Sequence, residues 1–449
     1  MIKLVIAMMK LKRKYFSASR IIIFGFACAI LFGTIMLMLP GSSRSEGSAP
    51  FSDALFTAVS AVCVTGLVVQ DTASYWTGFG QGIILLLIQI GGLGIVTVAV
   101  AIVILSGKKI GLMQRSTLQE AISAPKVGGI IKLTNFILKI TFIIELLGAA
   151  LMAPIFVKDF GPKGIWMAIF HSVSAFCNAG FDLMGLSAPY SSLTRYAANP
   201  LINIVIMCLI ITGGIGFLVW NEVKMYRFKL KRYSLQSKIV FSTTVFLIII
   251  PALCFYFGEF YGTAGMKRVW FSLFQSVTAR TAGFNTADLS SFGPVGKTIM
   301  IIIMLIGGSP GSTAGGMKTT TAAVLVFSAI SVFRKKNDAE CFGRRISENI
   351  VKNAAAIILM YILLFLFGGL IICSVENLPL DVCLFETASA IGTVGLTLGI
   401  TPQLSGISRI VLMALMYFGR VGGLTILFAA FSAPHTNVSK KPLERITVG

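Results

Sequence analysis

The sequence predicts an all-α membrane protein of four tandem helix–pore-loop–helix repeats, with eight transmembrane helices around one central pore. Three observations carry this prediction. The composition is too apolar for a water-soluble domain, eight apolar runs are long enough to span a bilayer, and four segments between those runs share one pattern.

The composition places most of the chain in a bilayer. Of its 449 residues, 56% are hydrophobic and only 12% are charged, with a mean hydropathy of +0.87. A soluble domain carries about a quarter charged residues. A membrane-spanning helix needs about 20 apolar residues. Runs of that length occur near 20–40, 82–106, 130–157, 199–221, 237–258, 296–333 (interrupted), 350–373 and 407–431.

The net charge of +21 does not indicate a nucleic-acid partner, because the basic residues cluster in the short segments between the repeats and at the chain ends. The positive-inside rule assigns such segments to the cytosol. We therefore expect a multi-pass protein of the plasma membrane with both termini cytosolic. Contact with anionic lipid of the inner leaflet explains most of the basic residues.

These assignments define the predicted organisation. The segments between the repeats are too short to form a separate core. The predicted parts are a basic cytosolic N-terminus 1–19, repeat 1 at 20–106, a cytosolic loop 107–129, repeat 2 at 130–221, a cytosolic loop 222–236, repeat 3 at 237–333, a cytosolic loop 334–349, repeat 4 at 350–432 and a cytosolic tail 433–449.

The repeats are recognised by a short amphipathic stretch that ends in a tetrad with glycine in its third place. Each tetrad lies between two apolar runs, which indicates a short re-entrant helix followed by a loop. The first three residues of the tetrads are Val64, Thr65 and Gly66; Asn178, Ala179 and Gly180; Thr281, Ala282 and Gly283; and Thr393, Val394 and Gly395.

These tetrads are predicted to form a selectivity filter. A dehydrated cation needs a ring of carbonyl oxygens in place of its water, and glycine adopts the backbone conformation that aims successive carbonyls at one axis. We expect K⁺ to be held by the carbonyls of Gly66, Gly180, Gly283 and Gly395. No tetrad contains an acidic residue, which favours a monovalent cation. Gly392–Leu396 resembles the TVGYG loop of K⁺ channels.

The chain as a whole, from Ala18 to Ala433, resembles the Trk/Ktr/HKT superfamily of K⁺ transporters, and the bacterial Ktr branch most of all. The resemblance rests on the four tetrads, their order and the glycine-rich stretches 89–94, 211–216, 307–318 and 419–423. It implies a K⁺-channel-like fold and, with glycine in all four filters, preference for K⁺ over Na⁺. It also implies a homodimeric membrane subunit controlled by a cytosolic ring of nucleotide-binding subunits. No covalently bound cofactor is expected, and Na⁺ is left open as an activator or co-ion.

A gate is predicted below the filter, because glycine and proline at this density cannot continue a regular helix. The gating loop is placed at 307–321 within repeat 3, and the resemblance implies the same role. The predicted gate residues are Gly307, Gly308, Ser309, Pro310, Gly311, Ser312, Thr313, Ala314, Gly315, Gly316, Lys318 and Arg420. Arg420 lies within the last apolar run, where an arginine costs at least about 2.5–3.5 kcal/mol unless it is paired or hydrated.

Two other interpretations remain open at this stage. An alternating-access symporter that moves K⁺ with Na⁺ or H⁺ would also use broken helices, although its repeats are commonly inverted and these run parallel. A receptor or a lipid enzyme would leave the four tetrads unexplained. The sequence has no Walker motif and no nucleophile–base pair, so we do not expect an enzyme.

Overall fold

The computed structural model describes residues 18–45, 47–106, 111–121, 129–336, 338–423 and 425–426. The predictions for the N-terminal segment before residue 18, the end of the last span after residue 426 and the tail 433–449 lie outside these residues. The described chain is a mostly helical membrane protein. It has four helices long and apolar enough to cross a bilayer, and up to six such spans if each of two bent pairs counts as one.

Repeat 1 starts with a long apolar helix, turns back into a short helix that ends at the first tetrad, and leaves through a bent pair. Thr77 accepts a hydrogen bond from the backbone of Gly80 and so caps the first helix of that pair. The helices are α1 (Ala18–Leu37), α2 (Phe51–Cys63), the single-turn α3 (Thr72–Tyr75), α4 (Gly78–Leu93) and α5 (Ile95–Leu105).

Repeat 2 follows the same course, and a helix that the sequence analysis did not anticipate precedes it in the predicted cytosolic loop. Asn199 caps the first helix of the outgoing pair, and Pro200 occupies its first turn, where no backbone N–H is needed. The helices are α6 (Leu112–Ala121), α7 (Ile130–Phe160), α8 (Lys163–Phe176), α9 (Pro200–Ile215) and α10 (Phe217–Tyr226).

Repeats 3 and 4 are joined by a short β-hairpin in the predicted cytosolic loop, which the sequence analysis also did not anticipate. In repeat 3 the second span consists of two short helices separated by residues 306–318. The elements are α11 (Leu235–Phe257), α12 (Gly265–Thr278), α13 (Pro294–Leu305), α14 (Thr319–Phe333), β1 (Ala339–Cys341), β2 (Arg344–Ile346), α15 (Glu348–Glu376), α16 (Leu380–Gly392) and α17 (Gly406–Val421). The strands are antiparallel, with Glu340 opposite Arg345.

Two spans that the sequence analysis treated as continuous are sharply bent. The run 82–106 is divided between α4 and α5 at an angle of 95°, and the run 199–221 between α9 and α10 at 94°. Gly94 and Gly216 lie at the two bends with φ of +84° and +103°. A helix cannot pass through such a conformation, and glycine adopts it without a Cβ clash. Gly422, with φ of +89°, ends α17 in the same way.

The core lies around the four short helices that precede the tetrads. Each places a phenylalanine in a fully buried position, four residues before a serine or threonine of the same helix. The phenylalanines are Phe56, Phe170, Phe274 and Phe385, and the hydroxyl residues are Ser60, Ser174, Thr278 and Ser389. Four equivalent helices packed on one core bring the four tetrads to one place.

Candidate functional site

The four tetrad glycines form a closed ring in chain order. A Cβ built on each glycine would lie less than 3.0 Å from the carbonyl oxygen of the residue that precedes the next glycine. The successive pairs are Gly66 with Ala179, Gly180 with Ala282, Gly283 with Val394, and Gly395 with Thr65. Glycine is therefore required at all four positions for the backbones to approach this closely.

The four tetrads also share one unusual backbone. Their first residues adopt the left-handed conformation, in which a side chain with a Cβ is uncommon. The φ angles are +59° at Val64, +59° at Asn178, +65° at Thr281 and +51° at Thr393, and the glycines have φ of +93°, +69°, +82° and +93°. Four repetitions of this strained turn in one ring indicate a functional arrangement.

Hydroxyl groups at the ends of the short helices hold the tetrads in place. Ser60 Oγ accepts a hydrogen bond from Gly66 N at 3.1 Å, and Ser389 Oγ accepts one from Gly395 N at 3.0 Å. In the other two repeats the equivalent hydroxyls donate instead. Ser174 bonds to the Phe181 carbonyl at 2.7 Å, and Thr278 bonds to the Phe284 carbonyl at 2.6 Å. Repeats 1 and 4 therefore share one hydrogen-bond pattern, and repeats 2 and 3 share the other.

Repeat 3 reaches the ring with one residue fewer. Gly283 lies nine positions after Phe274, whereas the glycine lies ten positions after the phenylalanine in the other repeats. The turn is correspondingly tighter, since Ala282 N donates to the carbonyl of Thr278, four residues earlier, at 2.9 Å. In repeat 1, Thr65 N reaches back five residues to Ser60. The missing residue is a signal that the sequence contains and that the sequence analysis did not use.

Oxygen atoms without a protein partner are present within the tetrads. The hydroxyl oxygens of Thr65 and Thr393 are buried and have no hydrogen-bond partner in the described part of the chain. A buried oxygen without a partner costs about 1–3 kcal/mol. Such oxygens are available to coordinate a cation. The possible ligands in the tetrads are therefore carbonyl and hydroxyl oxygens.

The ring lies between two cavities. On the predicted outer side, a cavity of about 90 Å³ is lined by all four glycines and by Asp71 and Asp182. On the predicted cytosolic side, an inner cavity of about 260 Å³ is lined by Lys318, Arg420 and Glu120 and by the glycine-rich bends. Four residues of the segment 307–316 also line the inner cavity: Gly311, Ser312, Ala314 and Gly316.

This segment packs directly under the ring. Thr313 Oγ1 lies 3.0 Å from the Phe176 carbonyl and 3.2 Å from Asn178 Oδ1. A Cβ on Gly315 would collide with the Thr393 hydroxyl. The predicted gate residues therefore contact the inner residues of two tetrads.

The segment takes its hydrogen bonds from the bends of the other repeats. Ser309 N donates to the Gly214 carbonyl at 3.0 Å, and Thr313 N donates to Gly213 at 3.3 Å. Further bonds run from Phe217 N to the Gly311 carbonyl at 2.8 Å and from Gly316 N to the Gly419 carbonyl at 3.1 Å. Gly307 N closes the base of the segment on the Met317 carbonyl at 2.7 Å. The polar backbone groups of this irregular segment thus have hydrogen-bond partners within the protein, as irregular backbone at membrane depth requires.

Arg420 joins the segment to repeat 1. Its guanidinium donates to the Thr313 carbonyl and to the carbonyls of Gly91 and Gly92, the latter at 3.2 Å. Lys318 bonds within the segment, to the Ala314 carbonyl at 2.8 Å. Both side chains thus bind carbonyls that the broken helices leave free.

The remaining charged or titratable residues considered in the sequence have supporting positions. His171 is buried, with Nδ1 2.7 Å from the Met167 carbonyl, and its Nε2 accepts a bond from Leu183 N at 3.3 Å. The Arg280 carbonyl lies 3.5 Å from the side-chain amide nitrogen of Asn178. The side chain of Arg280 is buried next to the third tetrad. Glu145 accepts a hydrogen bond from Gln89 at 3.2 Å, behind the second tetrad.

Comparison with known proteins gives the family. Residues 17–441 match the model of the family described as TrkH, cation transport protein. The chain belongs to this family.

The TrkH family is a family of transporters and not of enzymes, and curated relatives extend over nearly the whole chain. A potassium/sodium uptake protein of Enterococcus hirae is 40% identical over 94% of each chain. A Ktr system potassium uptake protein B of Bacillus subtilis is 39% identical over 94% of this chain and 95% of its own. A second Ktr system protein B, from Vibrio alginolyticus, is 32% identical. The resemblance drawn from the tetrads is therefore confirmed.

The fold has a solved counterpart in the same family. The crystal structure of the potassium transporter TrkH from Vibrio parahaemolyticus matches with a TM-score of 0.74, over 93% of this chain and 86% of that one, at 19% identity. At that identity the match concerns the fold alone. Together with the apolar spans, it identifies this TrkH-family chain as a multi-pass membrane protein.

Proposed function

We propose that this protein takes up K⁺ across the plasma membrane through a channel-like pore with a four-glycine selectivity filter. The observation that carries the proposal is the closed ring of Gly66, Gly180, Gly283 and Gly395, in which every glycine abuts a carbonyl of the next repeat. In this account the four repeats supply eight transmembrane helices around that ring, with the boundaries given by the sequence.

Ion selection is assigned to the tetrad backbones. Their carbonyls replace the water of a K⁺ ion, and the hydroxyls of Thr65 and Thr393 are available as further ligands. The short helices aim their carboxyl ends at the pore, where the helix dipole favours a cation. The Enterococcus relative is named for uptake of both potassium and sodium, so Na⁺ is kept as a second candidate ion.

Closure is assigned to the segment 307–316 with Lys318 and Arg420. The segment contacts the tetrads and lines the inner cavity, and the fixed charge of Arg420 repels a cation at the same level. Its bonds to the other repeats give it a defined closed position.

We assign control of this gate to a cytosolic nucleotide-binding subunit that forms a ring against a homodimer of the membrane subunit. The names of the Bacillus and Vibrio relatives place them in a Ktr system, which supports a partner for this chain as well. Both termini are assigned to the cytosol by the positive-inside rule.

Flux into liposomes containing the purified protein tests this function. We expect flux of K⁺ and Rb⁺ to exceed that of Na⁺, to follow the membrane voltage and to saturate only at high ion concentration. Saturation at low concentration together with a reversal potential displaced by a Na⁺ or H⁺ gradient would identify an alternating-access symporter instead. Absence of cation flux from inserted, dimeric protein would contradict the proposal.

A further inference from the structure

An apolar groove opens on the predicted cytosolic side, away from the pore. It has a volume of about 460 Å³ and lies between α10, the loop 227–233 and α11. Its walls include Ile215, Trp220, Phe228 and Phe241, and Arg227 is its only charged lining residue within the described chain. Phe228 is 97% exposed. Contact of such an apolar surface with hydrocarbon is favourable, whereas its contact with water is unfavourable.

The mouth of the groove is strongly basic. Arg227 lines the groove, and Lys229, Lys231 and Arg232 of the same loop are exposed. The acidic residue nearest to them in the chain, Glu222, accepts a hydrogen bond from Ser234 N at 3.0 Å. The loop therefore presents its positive charge to an anionic group at the membrane surface.

The inner end of the groove continues onto the lipid-facing side of α11. Phe241 belongs both to the groove and to an exposed apolar strip that ends at Ile250. The nine steps along the helix from Phe241 to Ile250 cover about 14 Å. An extended hydrocarbon chain thus has a continuous apolar path from the basic mouth into the bilayer.

The geometry points to a binding site for an anionic phospholipid of the cytosolic leaflet, with its headgroup on Arg227 and Lys229 and one acyl chain in the groove. Charge at the mouth and apolar continuity with the bilayer together select this occupant over an uncharged lipid or a soluble protein.

The same groove touches the support of the predicted gate. Trp220 lines it and donates from Nε1 to the Thr212 carbonyl at 2.8 Å, across the bend between α9 and α10. At that bend a Cβ on Gly216 would lie 2.7 Å from the Pro310 carbonyl. A bound lipid would stabilise this bend and the segment that rests on it. This consequence, unlike the binding site itself, rests on the proposed function.

Binding is tested by quenching of Trp220 fluorescence, taken as the difference between the intact protein and Trp220→Phe in the same vesicles. Phosphatidylcholine vesicles carry a small fraction of brominated phosphatidylglycerol or of brominated phosphatidylcholine. We expect stronger quenching by the anionic lipid. In Arg227→Gln/Lys229→Gln its apparent affinity should fall about tenfold to thirtyfold, as expected for two basic residues at an anionic surface.

The matched control is Arg334→Gln/Lys335→Gln, which removes two exposed basic residues from another cytosolic loop and should leave the quenching unchanged. Equal quenching by both lipids, or an equal effect of the control variant, would overturn the headgroup assignment. No quenching by either lipid would overturn the site. K⁺ flux measured in the same vesicles tests the coupling to the gate separately from binding.

Discussion

Repeat 3 differs from the other three repeats at two levels of the molecule. At the ring it reaches Gly283 with one residue fewer, yet its glycine occupies an equivalent place. Below the ring, repeats 1 and 2 bend their second helix at single glycines, Gly94 and Gly216, and the helix of repeat 4 ends at Gly422, whereas repeat 3 inserts the segment 306–318.

The difference shows how equivalence and asymmetry are divided. A ring of carbonyls around an ion needs an equivalent contribution from each of the four repeats. The glycine of repeat 3 therefore occupies a position equivalent to the other three, although the turn that precedes it is one residue shorter. A barrier needs only one element in the path, and the bends of the other repeats supply the carbonyls that anchor it. Repeat 3 is thus equivalent where an ion would be selected and unique where its passage would be closed.

Shortening the unique segment should have the largest effect. Deletion of residues 311–314 removes the anchors to Phe217 and Gly213 and the acceptor of Arg420. Each hydrogen bond contributes about 1 kcal/mol, so the closed state should weaken and basal K⁺ flux should rise about tenfold or more. Flux into liposomes, normalised to inserted protein, measures this.

The control for the deletion is removal of Gly47 and Ser48, exposed residues of the loop between α1 and α2, which should leave basal flux unchanged. A deletion variant that inserts, forms dimers and still conducts at the basal level would show that the segment is not the barrier.

Arg420→Ala should raise K⁺ flux by up to about tenfold. The side chain contributes a fixed positive charge and bonds from a charged donor, each worth about 1.5–3 kcal/mol. Arg420→Lys should give an intermediate flux, because lysine keeps the charge and loses the forked geometry. Arg409 on the same helix binds the carbonyls of Leu404 and Pro402 at the outer end, so Arg409→Ala should not raise flux. Lower flux in folded, dimeric Arg420→Ala would make Arg420 a brace of the pore.

The smallest effect is expected from the hydroxyls that fix the tetrads. Ser60→Ala leaves the backbone N–H of Gly66 without its partner, at a cost of about 1 kcal/mol. The preference for K⁺ over Na⁺ should fall several-fold, as measured by reversal potentials. Thr57 lies one turn earlier, and its buried hydroxyl has no partner in the described part of the chain. Thr57→Val should therefore leave the preference unchanged, and an equal loss in both variants would contradict a role of Ser60 in the ring.

The sequence predicted the parts of the molecule that depend on repetition. Apolar runs and in-register tetrads are visible in a single chain because each of them recurs. The recurring tetrads, with glycines such as Gly66 and Gly180, were sufficient to identify the family. The 95° and 94° bends were missed, because a glycine such as Gly94 inside an apolar run looks like a tolerated helix residue until its φ is known. The individual acceptors of Arg420 could not be named from the sequence, because these carbonyls lie 107 and 329 residues away in the chain.

The reversal potential of Gly395→Ser in mixed K⁺ and Na⁺ tests the central claim most directly. A Cβ at Gly395 collides with the Thr65 carbonyl, whereas one at Gly399, which has φ of +92°, meets nothing within 4 Å. Overpacking of this kind costs about 1–3 kcal/mol, so Gly395→Ser should lower the preference for K⁺ about tenfold towards Na⁺, and Gly399→Ser should leave it unchanged. Gly66→Ser should behave like Gly395→Ser. An unchanged preference for K⁺ when each of Gly66, Gly180, Gly283 and Gly395 is replaced by serine would contradict the assignment of the ring as the selectivity filter.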